Sequence, residues 1–279
     1  MKNIIQKSCL RYRGSKYELI FQHKINEFIP PTNVNHPYLE LFAGSLVMFF
    51  NIKTTCAFIN DNDDELTNFW IQVQHNRLAL EEKLKYIWNG NSFISHIEKE
   101  EKTPINRAVL FFLRNRLGTT HMTYPTFIIK QFEIWEEKMN SSRLTILNYD
   151  YEKALKIVDQ LRNPHSIRAI NEKRDLHAVI YADPPYVNSE QIYKNGIFDH
   201  QKFAQIIHEY GEIGHHIIIS YNKCNEILDL YSDWNIEEFS YSTKTHCANN
   251  RIELLISNKK LQRYRYNISK ETTLNGLLK

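Results

Sequence analysis

The stretch Ala178-Val179-Ile180-Tyr181-Ala182-Asp183-Pro184-Pro185-Tyr186 carries the pattern on which the fold rests: five apolar residues, then an abrupt polar and rigid end. An apolar run of this length, bounded by turn residues, reads as a strand buried on both faces. The same form recurs along the chain. Tyr38-Leu39-Glu40-Leu41-Phe42 leads into Ala43-Gly44-Ser45, Cys56-Ala57-Phe58-Ile59 into Asn60-Asp61, and Leu144-Thr145-Ile146-Leu147 into Asn148. His216-Ile217-Ile218-Ile219-Ser220 leads into Tyr221-Asn222, and Glu253-Leu254-Leu255-Ile256 lies near the end. Helical periodicity fills the intervals over 46–53, 64–75, 150–162, 199–211 and 222–231. Alternating strands and helices predict an α/β fold, a Rossmann-like and mainly parallel sheet with helices on both faces. Such sheets bind ligands at the carboxyl ends of their strands, where the polar clusters lie here.

Residues 66–143 break the alternation. They hold helical stretches over 78–87, 104–117 and 128–139 and no convincing buried strand. The simplest account is a helical insertion at 66–143 in a core made of 1–65 and 144–279. Arg114-Asn115-Arg116 falls where one of its helices meets the loop Gly118-Thr119-Thr120.

A length of 279 residues suits one large domain or a core with a smaller insert, and 42% hydrophobic residues exclude wholesale disorder. A formal charge of +3 permits nucleic-acid binding without demanding it. Lys2, Lys7, Arg11, Arg13 and Lys16 crowd the start, and Lys259, Lys260, Arg263, Arg265 and Lys270 the tail. The four cysteines, Cys9, Cys56, Cys224 and Cys247, have neither metal-ligand nor disulfide spacing. No HExxH helix is present, and no metal is expected. Without an apolar run long enough for a signal peptide or a membrane span, the expected setting is a soluble protein of the reducing cytoplasm.

Two successive prolines stiffen Asp183-Pro184-Pro185-Tyr186 and leave it only carbonyl acceptors. One carboxylate and one rigid carbonyl suit a ligand with two N–H donors, such as an exocyclic amine, and Tyr186 adds a ring that can stack on a base. The plainer alternative is a tight turn leaving a strand. In Glu40-Leu41-Phe42-Ala43-Gly44-Ser45, small residues let a ligand approach backbone amides, although this is not the GxGxxG fingerprint. Asp61 ends the second strand roughly 20 residues beyond that turn, where a carboxylate typically accepts from ribose hydroxyls. Asp63 and Asp64 read equally well as acids at a helix N-terminus.

In order, Arg11-Tyr12-Arg13-Gly14-Ser15-Lys16, Glu40-Leu41-Phe42-Ala43-Gly44-Ser45, Ile59-Asn60-Asp61-Asn62 and Asp183-Pro184-Pro185-Tyr186 resemble the Dam-like, alpha-type class of DNA adenine methyltransferases. The likeness spans nearly the full length and includes the segments 218–222, 230–234 and 253–258. The resemblance implies the methyltransferase fold, S-adenosylmethionine as methyl donor, and transfer to the N6 amino group of a flipped adenine in double-stranded DNA. It assigns Tyr12, Lys16, Asp61 and Asp183 to S-adenosylmethionine, with Phe42, Ala43, Gly44 and Ser45 along its amino-acid end. It assigns Asp183, Pro184 and Tyr186 to the adenine. The insertion becomes a target-recognition region, with Arg114, Asn115 and Arg116 as DNA contacts. A monomer is expected, with double-stranded DNA and a cognate restriction endonuclease as partners, and the sequence leaves open a restriction-modification, phage-derived or solitary setting.

Two departures from the class stand out. The cofactor turn reads Ala-Gly-Ser-Leu where relatives carry two or three glycines, and the stretch after Arg116 lacks their Gly/Ser-rich loop. The rival readings are amino methylation of cytosine or of adenine in RNA, and a non-catalytic DNA-binding module that kept the fold.

Overall fold

Apolar runs that end in polar clusters do pair side by side. The computed structural model describes residues 5–12, 14–88, 101–117, 131–160, 177–187, 198–241 and 251–264. Within them, β1 (Tyr38–Glu40), β2 (Ala57–Asn60), β3 (Leu144–Leu147), β4 (Val179–Ala182), β5 (His216–Asn222), β6 (Asn235–Tyr241) and β7 (Arg251–Ser257) form one sheet in the order β3-β2-β1-β4-β5-β7-β6. The first five run parallel, while β7 lies antiparallel to both β5 and β6. The chain winds outward from β1 through β2 to β3, then crosses back to β4 and winds the other way. The reversal falls between β1 and β4, and a crevice opens at such a switch point beyond the carboxyl ends of the strands.

Period-two alternation sorts the side chains to two faces. Tyr38, Val179, Tyr181, Ile218 and Leu255 join one buried cluster, and Leu39, Ile180, Ala182, Ile217, Ile219, Leu254 and Ile256 join the other. Helices α7 (Tyr151–Gln160), α8 (His200–Glu212) and α9 (Asn225–Leu230) cover the second face through residues such as Leu155, Phe203 and Ile227. The first face is covered by α1 (Tyr17–His23), α2 (Val47–Phe50), α3 (Asp64–His75), α4 (Arg77–Trp88), α5 (Pro104–Leu117) and α6 (Gln131–Ser141). Phe50, Phe69, Trp70, Phe112, Phe132 and Trp135 interlock there, with Phe69–Trp70 and Phe50–Trp135 ring centroids 5.0 and 5.7 Å apart. Each such large side chain, fully buried, stabilises the fold by about 1.5–3 kcal/mol. The described helices of the stretch 66–143 thus share one apolar cluster with the sheet.

Local chemistry explains several helix ends. Asp63 caps α3, its Oδ1 accepting from the amides of Glu65 and Leu66 at 3.0 and 3.2 Å. Arg107 of α5 donates to Asp64 at 2.7 Å and Glu65 at 3.0 Å, tying α5 to the start of α3. The helix-terminus reading of Asp63 and Asp64 therefore holds. The helix expected at 46–53 is only Val47–Phe50, because Leu46 enters with φ 57 and Asn51 bonds back to the Val47 carbonyl. The helix expected from 222 begins at Asn225, since β5 runs on through Asn222. Strand β6 answers to no expectation. Phe239 is the one buried residue of this strand and Glu237 and Glu238 sit on it, the usual composition of a solvated edge strand. Among the expected features, Lys2, Arg13, the loop 118–120, Cys247, Arg265 and Lys270 lie outside the described residues. No described helix is long and apolar enough to cross a membrane.

Candidate active site

Two chain segments leave the sheet at the switch point, one from β1 and one from β4. After β1 the backbone is pinned: the Ala43 N–H donates to the Asn60 carbonyl at 2.9 Å, and the buried Asn60 side chain bonds the carbonyls of Leu41 and Tyr149. Gly44 then turns with φ +48, a left-handed torsion that favours glycine. The Tyr12 ring lies so close over it that a Cβ on Gly44 would stand 2.9 Å from Cε1. The Gly44 N–H donates to Asp61 Oδ2 at 2.9 Å, and the Asp63 N–H donates to Asp61 Oδ1 at 3.0 Å. Burial pushes the Asp61 carboxyl up to about 6, and these two amides hold it from rising further. Ser45 Oγ meets Ser15 Oγ at 3.4 Å, a second link between the turn and the N-terminal segment. Phe42 faces the opposite way, edge-on to Phe198 and Phe203 at 5.7 Å each.

After β4 the chain presents Asp183. Its Oδ1 takes the Lys16 ammonium at 2.6 Å and the Ser220 hydroxyl at 3.4 Å, while 21% of the side chain stays exposed at the crevice. Lys16 itself is only 2% exposed. It also donates to the Tyr186 hydroxyl at 2.7 Å and to the carbonyl of Gly14 at 3.0 Å. The Tyr186 hydroxyl in turn donates to Glu253, whose carboxylate lies 3.4 Å from the same ammonium. Burial works against the charge on Lys16, but Asp183 and Glu253 outweigh it and raise its proton affinity above the ordinary lysine range. Burial pushes Asp183 up to about 6; Lys16 opposes the rise and Glu253 adds to it.

The sequence-predicted residues Tyr12, Lys16, Ala43, Gly44, Ser45, Asp61, Asp183, Pro184 and Tyr186 thus lie at one edge of the sheet, while the Phe42 ring turns away to Phe198 and Phe203. The Lys16 ammonium meets Asp183, the Tyr186 hydroxyl and the Gly14 carbonyl and so ties these groups together. Glu253 belongs to this cluster, although the sequence marked it only as the head of an apolar run and gave it no role. A glutamate heading an apolar strand looks like a solvated strand end, whereas here it is 2% exposed. Glu40, also buried, is pushed up to about 8 by burial, with the Tyr38 hydroxyl donating to it at 2.9 Å. Beside Tyr186 opens a cleft of about 440 Å³, which Asn222, Lys223, Tyr241, Arg251, Ile252 and Glu253 also line.

Arg114, Asn115 and Arg116 lie elsewhere, on the last turn of α5. Arg114 is exposed. Arg116 is half-buried beside Cys9 and Arg11, and its Nε has no hydrogen-bond partner among the described residues. The expectation of a DNA contact fits Asn115 least. Both ends of its carboxamide are engaged by the backbone of Arg11, at 2.8 and 2.9 Å. Burial pushes the Cys9 thiol up, well away from the range of a nucleophile.

The model of the D12 class N6 adenine-specific DNA methyltransferases matches residues 12–246. The Type II methyltransferase M1.LlaDCHI of Lactococcus lactis subsp. cremoris is 23% identical, over 88% of this chain and 93% of its own length.

Proposed function

The chain belongs to the D12 class of N6 adenine-specific DNA methyltransferases, and from that premise we propose which groups do the work. S-adenosylmethionine is the donor, and the Gly44–Asp61 turn is its cradle. The glycine lets the Tyr12 ring close over the turn, and each Asp61 oxygen keeps a lone pair for a ribose hydroxyl. Across the switch point, one buried ammonium faces two carboxylates, Asp183 and Glu253. That excess of negative charge suits a ligand bearing a fixed cation.

When bound, S-adenosylmethionine supplies an already activated sulfonium methyl, so the protein's task is mainly positioning. The adenine amine is a poor nucleophile because its lone pair is delocalised into the ring. With one N–H on Asp183 and the other on the Pro184 carbonyl, the nitrogen becomes tetrahedral and its lone pair localises. The Lys16 contact uses Oδ1, which leaves Oδ2 of Asp183 for the amine. Flipping the base out of the duplex costs a few kcal/mol, and stacking on Tyr186, about 1–3 kcal/mol per base, offsets part of it.

The reading extends to organisation. Residues 1–65 and 144–279 form the catalytic unit, and 66–143 the target-recognition unit, with Arg114 its best-placed DNA contact because it is exposed. The chain acts as a monomer and serves alongside a cognate endonuclease, a reading in keeping with its likeness to a Type II methyltransferase.

One observation carries the proposal: the Asp61-bonded glycine turn and the Asp183 carboxylate leave adjoining strands at the same edge. Expression in a host free of DNA methylation, followed by sequencing for modified bases, tests it. N6-methyladenine at one short motif is expected, and it should vanish in Asp183→Ala. Modified cytosine, or adenine modified only in RNA, would overturn it, as would cofactor binding without turnover.

A further inference from the structure

We propose that Glu253 is a positioning residue of the methyl transfer, acting on Asp183 through Lys16 and Tyr186. This rests on the reading of Asp183 as the acceptor for the amine. The geometry is a closed loop of groups. Lys16 donates to Asp183 at 2.6 Å and to the Tyr186 hydroxyl at 2.7 Å, and that hydroxyl hands its own proton on to Glu253. Glu253 is thereby the far anchor of both side chains that touch Asp183's surroundings, and it comes from β7, the antiparallel strand beside β5. At 2% exposure it has no solvent to share its charge with.

A glutamate in that place does two things. It fixes the Tyr186 hydroxyl, and so the plane of the ring available to a base. It also competes with Asp183 for one ammonium. The groups facing Asp183 are Lys16, Glu253, Glu40 from β1, Tyr181 and Tyr186 flanking it, and Tyr221 from β5. The three tyrosines are held protonated by burial. Lys16 is thus the one cation in this group, and Glu253 works against it by raising the proton affinity of Asp183.

The outcome is a carboxylate ionised at neutral pH, yet basic enough to take a proton. In the transfer, the nitrogen lone pair forms the N–C bond while the C–S bond breaks and leaves its pair on sulfur. The nitrogen then carries a surplus proton and a positive charge, and Asp183 receives that proton. A general base performs best when its proton affinity is matched to the working pH.

The test uses the full chain. In Glu253→Gln the size and the acceptor for Tyr186 remain while the charge goes. The acid limb of the kcat–pH profile should move to lower pH by about half a unit or more, in keeping with removal of a neighbouring like charge. The carboxyl carbon of Asp183, followed by NMR in the free protein and assigned by its loss in Asp183→Asn, should titrate lower by the same amount. Glu253→Ala, which also takes away the acceptor of the Tyr186 hydroxyl, should lose at least about tenfold in kcat with little change in KM for DNA. An Asp183 titration that does not move in Glu253→Gln overturns the inference. High activity in Asp183→Asn would instead overturn the reading of the site on which it rests.

Discussion

The carboxamide of Asn115 closes on the backbone of Arg11 from both sides, accepting from its N–H at 2.8 Å and donating to its carbonyl at 2.9 Å. The next residue, Tyr12, lies on Gly44. Helix α5 is thereby fastened to the Gly44 turn through two consecutive residues. Asn115→Ala should weaken S-adenosylmethionine binding by about 1 kcal/mol in the absence of DNA, the scale of one or two lost hydrogen bonds. Calorimetry checks this. Unchanged cofactor affinity with relaxed sequence preference would return Asn115 to the DNA interface.

Gly44→Ala should reduce both stability and cofactor affinity. The left-handed torsion alone costs an alanine about 1–2 kcal/mol, and its Cβ would collide with the Tyr12 ring. Tyr12→Ala in the same chain removes the collision but not the torsional strain. Thermal melting should therefore show partial recovery in the double variant; full recovery would mean the torsion costs nothing.

Asp61→Ala should weaken cofactor binding by about 1–3 kcal/mol, because the Gly44 amide loses its acceptor along with the ribose. In the parent chain, affinity should also fall as the pH drops through about 6, where Asp61 takes up its proton. Affinity independent of both pH and substitution would place the ribose elsewhere.

Glu40 makes a prediction about stability. Its proton affinity is raised on folding, from the ordinary 4.5 to about 8. The contribution of the protonated group is therefore fully present below pH 4.5 and lost as pH rises through about 8. Glu40→Gln carries no such charge. Urea unfolding should show the variant gaining on the parent chain across this window. A constant difference at all pH values would mean Glu40 ionises as freely when folded as when unfolded.

Arg114→Ala should weaken binding to every duplex alike and flatten the dependence of log K on log salt by about one unit, as loss of a phosphate contact does. Titrations on cognate and scrambled duplexes at two salt concentrations decide it. Weaker binding confined to the cognate duplex would mark Arg114 as a reader of bases instead.

The parallel half of the sheet was legible because each of its strands is an apolar run with a polar terminus, and both strand-end clusters at the switch point followed from it. What escaped notice depends on partners distant in sequence. Strand β6 reads as polar because it is an edge, with Glu237 and Glu238 on it. The antiparallel course of β7 is set by that hairpin and not by its own residues. Glu253 becomes a site residue only when Lys16 and Tyr186 are brought against it. Asn115 shows the converse: an amide flanked by arginines suggested nucleic acid, and its carboxamide meets the backbone of a residue 104 positions earlier.

The Lys16 cluster also has a bearing on the order of synthesis. Lys16 leaves the ribosome early, Asp183 well after it, and Glu253 later still. At about 5–20 residues per second, roughly ten to fifty seconds separate the first member from the last. Through that interval Lys16 stays hydrated, because burying an ammonium without its counter-charges costs several kcal/mol. The centre therefore assembles only when β7 enters the sheet beside β5. An arrested chain that stops short of β7 lacks Glu253 and should therefore be inert in methyl transfer.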